Sequence, residues 1–98
     1  MNYEEIFSQR DVDDDTKILS TRFFELDGVP ILLEDWYWDG VTASSCVVPV
    51  QFIEDQSMTT DTMINKIKSK FDITDPTTQS QNGSFLFLNF NFKIKDAD

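Results

Sequence analysis

Histidine is absent from the 98 residues, and cysteine occurs once, as Cys46. Without histidine the chain lacks the commonest general base and the commonest metal ligand. One cysteine forms neither an internal disulfide nor a thiolate metal site, and no histidine is there to activate it as a nucleophile. Cys46 lies among Val47, Val48 and Val50, so it reads as a small buried hydrophobe. Basic residues are scarce, at 8 against 18 acids, for a net charge of −10. That balance argues against direct binding to nucleic acid, because phosphate contacts need Lys and Arg, and equally against anionic membrane surfaces. The apolar runs fall far short of the roughly 20 residues of a membrane-spanning helix. Met1 is followed by Asn2, Tyr3, Glu4 and Glu5, which is not the cationic start of a signal peptide. A cytoplasmic protein is expected.

What is present is apolar enough to fold. Hydrophobic residues make up 40% and aromatics 13%, which separates the chain from disordered acidic sequences. The length predicts a single domain over 1–98. The charge is lopsided: residues 1–62 hold fourteen acids and three bases, whereas 63–98 hold four acids and five bases. Such asymmetry predicts a molecule with one acidic side.

Local patterns predict the elements. Residues 2–9 suit a short first helix, capped by Asn2, with Glu4 and Glu5 in its first turn. Asp11, Asp13, Asp14 and Asp15 repel one another and read as a loop. β-rich runs then cover 18–26, 29–38 and 41–53, separated by Asp27-Gly28 and Asp39-Gly40. Asp-Gly between two such runs signals a tight hairpin, because a type I′ turn needs positive φ at both central positions. Three antiparallel strands follow. Pro30 and Pro49 must sit where no ladder N–H is needed. Residues 57–71 predict the main helix, with Ser57, Thr59 and Thr60 as candidate caps and Met63, Ile64, Ile67 and Phe71 as its apolar stripe. Residues 72–83 read as a polar loop, and 84–95 as a long strand. In it Phe85 and Phe87 face one way, and Leu86, Leu88, Phe90, Phe92 and Ile94 the other. The tail 96–98 reads as a frayed end. The expected fold is α+β: a three-stranded meander, a helix and a long fourth strand form a four-stranded antiparallel sheet packed on one main helix, with a short N-terminal helix.

Chemical motifs are few. The run Asp11–Asp15 starts like a calcium loop, but its sixth position is Thr16 and its twelfth Arg22, which does not complete one. Neither a phosphate-binding glycine loop nor a metal-ligand cluster is legible, so no cofactor or metal and no enzymatic activity are expected. The most informative segment is Glu34-Asp35-Trp36-Tyr37-Trp38-Asp39, three large aromatics and three carboxylates in six residues. On a strand, Trp36 and Trp38 share one face and Tyr37 takes the other, so the sheet cannot hide all three on one side. Trp and Tyr dominate interface hot spots, and acids supply steering and specificity. Glu34, Asp35, Trp36, Tyr37, Trp38 and Asp39 are therefore the expected contact residues, with Asp13, Asp14 and Asp15 steering from the rim. The reading in which both Trp are core, flanked by acids that oppose aggregation, stands beside it.

In composition the chain resembles small acidic protein inhibitors, among them immunity proteins that neutralise nuclease toxins and phage anti-defence proteins that imitate nucleic acid. The resemblance implies a basic protein partner, either a nuclease toxin or a host defence nuclease, blocked without catalysis. Toxin immunity ranks ahead of the phage anti-defence reading (an anti-CRISPR or DNA mimic), because a mixed acidic and aromatic face suits a specific protein site. A monomer or weak homodimer is expected. A structural or chaperone-like module, dimerising through a sheet face or edge, is the third reading.

Overall fold

Two Asp-Gly turns organise the first half of the chain. The computed structural model describes residues 1–95. Asp27 and Gly28 have φ of 51° and 84°, and Asp39 and Gly40 have φ of 47° and 81°. Both turns carry positive φ at both central positions, as a type I′ hairpin requires. They join β1 (Lys17–Leu26), β2 (Val29–Trp38) and β3 (Val41–Pro49). The meander expected from sequence is present, with a bulge at Leu19 in β1.

The two prolines mark one end of the ladder. The β2–β3 register runs from Trp38↔Val41 to Leu32↔Val47, and its continuation would set Pro30 opposite Pro49. The β2–β3 pairing stops before both, so neither missing N–H leaves a gap between these two strands, while Pro30 lies opposite Glu25 and Pro49 opposite Phe85 on their other sides. Pro49 also ends β3. The β-rich run 41–53 thus breaks at Pro49, where the proline was expected to break or bulge the strand, and residues 50–55 form a short helix, α2 (Val50–Asp55), which was not expected. The main helix, α3 (Thr60–Lys70), follows. Thr59 caps it by accepting from the Thr62 N–H, and Met63, Ile64 and Ile67 are its buried stripe.

The second half departs further from expectation. The sheet has five strands, in the order β1-β2-β3-β5-β4, all pairs antiparallel. The additional strand, β4 (Thr78–Asn82), lies inside the segment read as a polar loop. Its five residues are all exposed, because an edge strand needs backbone partners and no apolar side chains. A two-residue turn with positive φ at Gly83 returns the chain into β5 (Phe85–Asn89), which inserts between β3 and β4. The predicted long strand 84–95 is thus cut to five residues. Asn91 adopts φ 65°, and its N–H is held by Asn89 Oδ1 at 2.8 Å. The chain then bulges around Ser44, which accepts from the Phe90 N–H and donates to the Phe92 carbonyl.

Strand parity assigns the two faces. Val29, Ile31, Leu33, Cys46, Val48, Leu86, Leu88 and Phe90 join α2 and α3 in the larger core. Leu32, Val47 and Phe85 face the other way, under Phe7 and the short N-terminal helix α1 (Tyr3–Ile6), with Phe87 packed alongside. Asn2 caps α1, as expected. The fold is therefore α+β with a five-stranded open sheet covered on both faces, rather than four strands under one helix. Among the described residues no helix is long and apolar enough to cross a membrane. The fraying expected of 96–98 lies outside the described residues.

Cys46 is completely buried. Burial pushes its thiol well above the usual range, and the charge of Glu34 adds to the effect. It is expected to resist a thiol-specific reagent in the native protein and to react with one equivalent after unfolding. Rapid labelling of the folded chain would contradict this burial.

Candidate functional site

Glu34 and Asp35 are neighbours in sequence, yet the strand sends them to opposite faces of the sheet. Both are buried, at 3% and 4% exposure. A buried carboxylate requires a partner. Each has an arginine from elsewhere in the chain: Arg10 pairs with Glu34, and Arg22 Nη2 lies 3.1 Å from Asp35 Oδ1. These are two of only three basic residues in the acidic first 62.

Asp35 sits on the α3 face. Ser20 Oγ donates to its Oδ2 at 2.7 Å, and Ser44 Oγ donates to its Oδ1. Ser44 Oγ in turn accepts from the Ile94 N–H at 2.9 Å, so the carboxylate helps to hold the chain beyond β5. Burial acts against the charge. The hydrogen bonds from Ser44 and Ser20 and the charges of Arg22 and Lys93 outweigh it, leaving the carboxyl below its ordinary pKa.

Glu34 sits on the other face, and there the balance reverses. Burial dominates over the charge and hydrogen bond of Arg10, so its carboxyl titrates above the ordinary value. The Arg10 guanidinium also lies over the Phe87 ring, 5.7 Å from the centroid. Aromatic packing anchors the segment that delivers it. Tyr3 stacks on Phe23 at 5.3 Å, and Phe7 meets Phe23 at 5.8 Å and Phe85 at 5.9 Å.

Beyond Arg10 this face opens into a groove of about 610 Å³. Its floor is Glu34, Trp36, Trp38, Ser45 and Phe87. One wall is the loop carrying Asp11, Asp13 and Asp15, and the other is the edge strand β4 with Ser80 and Asn82. Trp36 is half-buried and donates from Nε1 to Ser45 Oγ at 2.8 Å, whereas Trp38 is 48% exposed. Among the described residues, the carboxylates of Asp11, Asp13 and Asp15 have no hydrogen-bond or ion-pair partner.

The structure thus divides the nine expected contact residues. Trp36, Trp38, Asp13 and Asp15 converge on the groove, and Glu34 lines its floor with its charge engaged by Arg10. Asp14 is exposed in the loop and Asp39 in the turn, but neither lines the groove. Asp35 and Tyr37 face the opposite side, where Tyr37 is 44% exposed and is not among the residues packed on the larger core. Arg10 and Phe87 belong to the groove and were not anticipated, and Asp11 joins Asp13 and Asp15 of the same acidic run there. The available signal was Arg10 itself, a base standing immediately before a run of acids. Among the described residues no group of three or more Cys, Asp or Glu is placed to hold a metal ion. Comparison with protein-family models, with curated proteins and with solved structures gave no match.

Proposed function

We propose that this chain is an acidic protein inhibitor that binds and blocks a basic nuclease or another nucleic-acid-handling protein, in the manner of a toxin immunity protein. One observation carries the reading: Asp11, Asp13 and Asp15, whose carboxylates have no partner among the described residues, line the same groove as Trp36 and Trp38. A protein that handles phosphate presents a positive surface. Acids on the inhibitor raise the rate of encounter with such a surface, and aromatic anchors seated in the interface slow release. No catalytic group is required.

In this reading Trp36 and Trp38 are the anchors, Asp13 and Asp15 the charge partners, and Asp14 and Asp39 steer from the rim. Glu34 acts through Arg10 by holding the floor in place. A phage anti-defence inhibitor would use the same physics against a host nuclease, so the identity of the target separates the two.

The test is capture from native-host lysate at low and high salt, followed by a cleavage assay on the captured nuclease. The wild-type chain is expected to capture a basic nuclease in a salt-sensitive manner and to inhibit it. Trp38→Ala should weaken binding by about 2 kcal/mol or more, the scale of an interface hot spot. Asp13→Lys with Asp15→Lys should slow association. Tyr37→Ser, on the opposite face, should change neither. If capture and inhibition are the same for all of these variants, the groove is not the binding site.

A further inference from the structure

Resting on the inhibitor reading of this groove, we infer that its central occupant is an arginine side chain of the partner protein, seated against Trp36 and Trp38 and paired with Asp13 and Asp15. Three features of the site favour a guanidinium over any other cation.

The first is the aromatic surface. Trp36 and Trp38 are two residues apart on one strand face, so the groove presents two neighbouring indoles. A guanidinium is flat and can stack on an indole face, and an ammonium has no flat face to offer.

The second is an arrangement already present in the same groove. Arg10 combines the face of Phe87 with the carboxylate of Glu34, an aromatic surface and an acid holding one guanidinium. Trp36 and Trp38 with Asp13 and Asp15 repeat that combination further along, and among the described residues no cation is paired with these two acids. Arg10 is already committed to Glu34, so the remaining carboxylates of the groove face outward uncompensated.

The third is hydration. The groove is open to solvent and lined by exposed acids, so an entering cation keeps much of its water. A guanidinium is weakly hydrated on its faces, stacks on indole, and bonds two carboxylate oxygens at once with its planar fork. An ammonium holds its water more tightly and gains less from the rings. The site therefore selects arginine over lysine at equal charge.

Both tryptophans of the chain line this groove, so intrinsic emission reports its occupancy directly. The probes are the capped tripeptide Gly-Arg-Gly and its lysine and citrulline counterparts. The arginine peptide is expected to shift the emission saturably, the lysine peptide to bind several-fold more weakly, and the uncharged citrulline peptide to bind weakest. Trp38→Ala should weaken the arginine peptide roughly fivefold, the scale of an exposed cation–π contact. Asp13→Asn with Asp15→Asn should weaken both cationic peptides and flatten their salt dependence. Circular dichroism checks that each variant is folded.

Equal affinity for arginine and lysine peptides would overturn the arginine assignment. So would an arginine peptide that leaves the emission unchanged while the full-length target is still captured through Trp38. In either case the inhibitor reading survives. Loss of salt-sensitive capture of a basic nuclease in the lysate experiment sinks that reading itself, independently of the peptides.

Discussion

Asp35→Ala is expected to cost about 3–5 kcal/mol of folding stability, the range for breaking a buried ion pair by removing one partner. Against a total of about 5–15 kcal/mol for an ordinary domain, that is a large fraction. The substitution removes one carboxylate and strands several groups. Ser20 Oγ and Ser44 Oγ lose their acceptor, and the ion pair between Arg22 and Asp35 is lost. Ser44 also holds the Ile94 N–H, so the stretch beyond β5 loosens with it. Urea denaturation measures the loss. A change of under 1 kcal/mol would mean that the network contributes little beyond geometry.

Glu34→Gln is the informative contrast. Glu34 is as deeply buried as Asp35, yet its carboxyl titrates above the ordinary value because desolvation exceeds what Arg10 returns. Neutralising it relieves that desolvation and leaves Arg10 an amide oxygen as acceptor, so the amide is expected to cost less stability than Asp35→Ala. The two acids also carry opposite pH signatures. Asp35 has a folded pKa below its unfolded value of about 3.9. Its contribution is complete above that value and disappears as pH falls through the folded pKa. Glu34 has a folded pKa above its unfolded value. Its contribution is greatest below the unfolded value and declines as pH rises through the folded one. The advantage of wild type over Asp35→Ala should therefore shrink in acid. Relative to Glu34→Gln, wild type should gain stability as pH is lowered from neutral. The same slope in both comparisons would refute these opposite assignments.

Phe7→Ala has the second large effect, of about 3 kcal/mol, at the lower end of the range for buried Phe-to-Ala changes. Phe7 is the buried anchor of the N-terminal segment, in contact with Phe23 and Phe85. The helix before it has four residues, too few to persist without tertiary contacts. Arg10 follows three positions later, and its N–H bonds back to the Phe7 carbonyl at 3.1 Å. Removing the ring should detach residues 1–16 from the sheet while β2 and β3 stay closed under α2 and α3. Native-state hydrogen exchange reads this directly: amides of the first segment lose protection, and those of the central strands keep it. Because this segment forms a wall of the groove, occupancy measured by Trp emission should weaken too. Unchanged protection at residues 6 and 7 would show that the segment is held by something other than this ring.

Much of the local structure was legible in the chain. The two Asp-Gly turns, the Thr59 cap and the alternating sides of β5 each depend on residues within a few positions of one another. Short-range sterics and side-chain parity determine such features, and they leave a pattern in the sequence. β4 was not legible, because Thr78–Asn82 contains no apolar residue and pairs only through its backbone. The turn at Gly83 was its one signal. The long fourth strand failed for a related reason: alternation continued past Asn89, but the bulge at Asn91 depends on Ser44, far away in sequence.

The net charge of −10 and its concentration in the first 62 residues are properties of composition, and any fold of this chain would carry them. Which of those charges are free to meet a partner is a property of long-range packing. Glu34 and Asp35 look like the centre of an acidic aromatic motif. Pleating sends them to opposite faces, and Arg10 and Arg22, distant in sequence, consume both. The charges left over the two tryptophans belong instead to the Asp11–Asp15 loop, brought there by Phe7 and Arg10. Burying a carboxylate demands a partner wherever the chain can supply one, and that demand is met by contacts in space rather than by order in sequence.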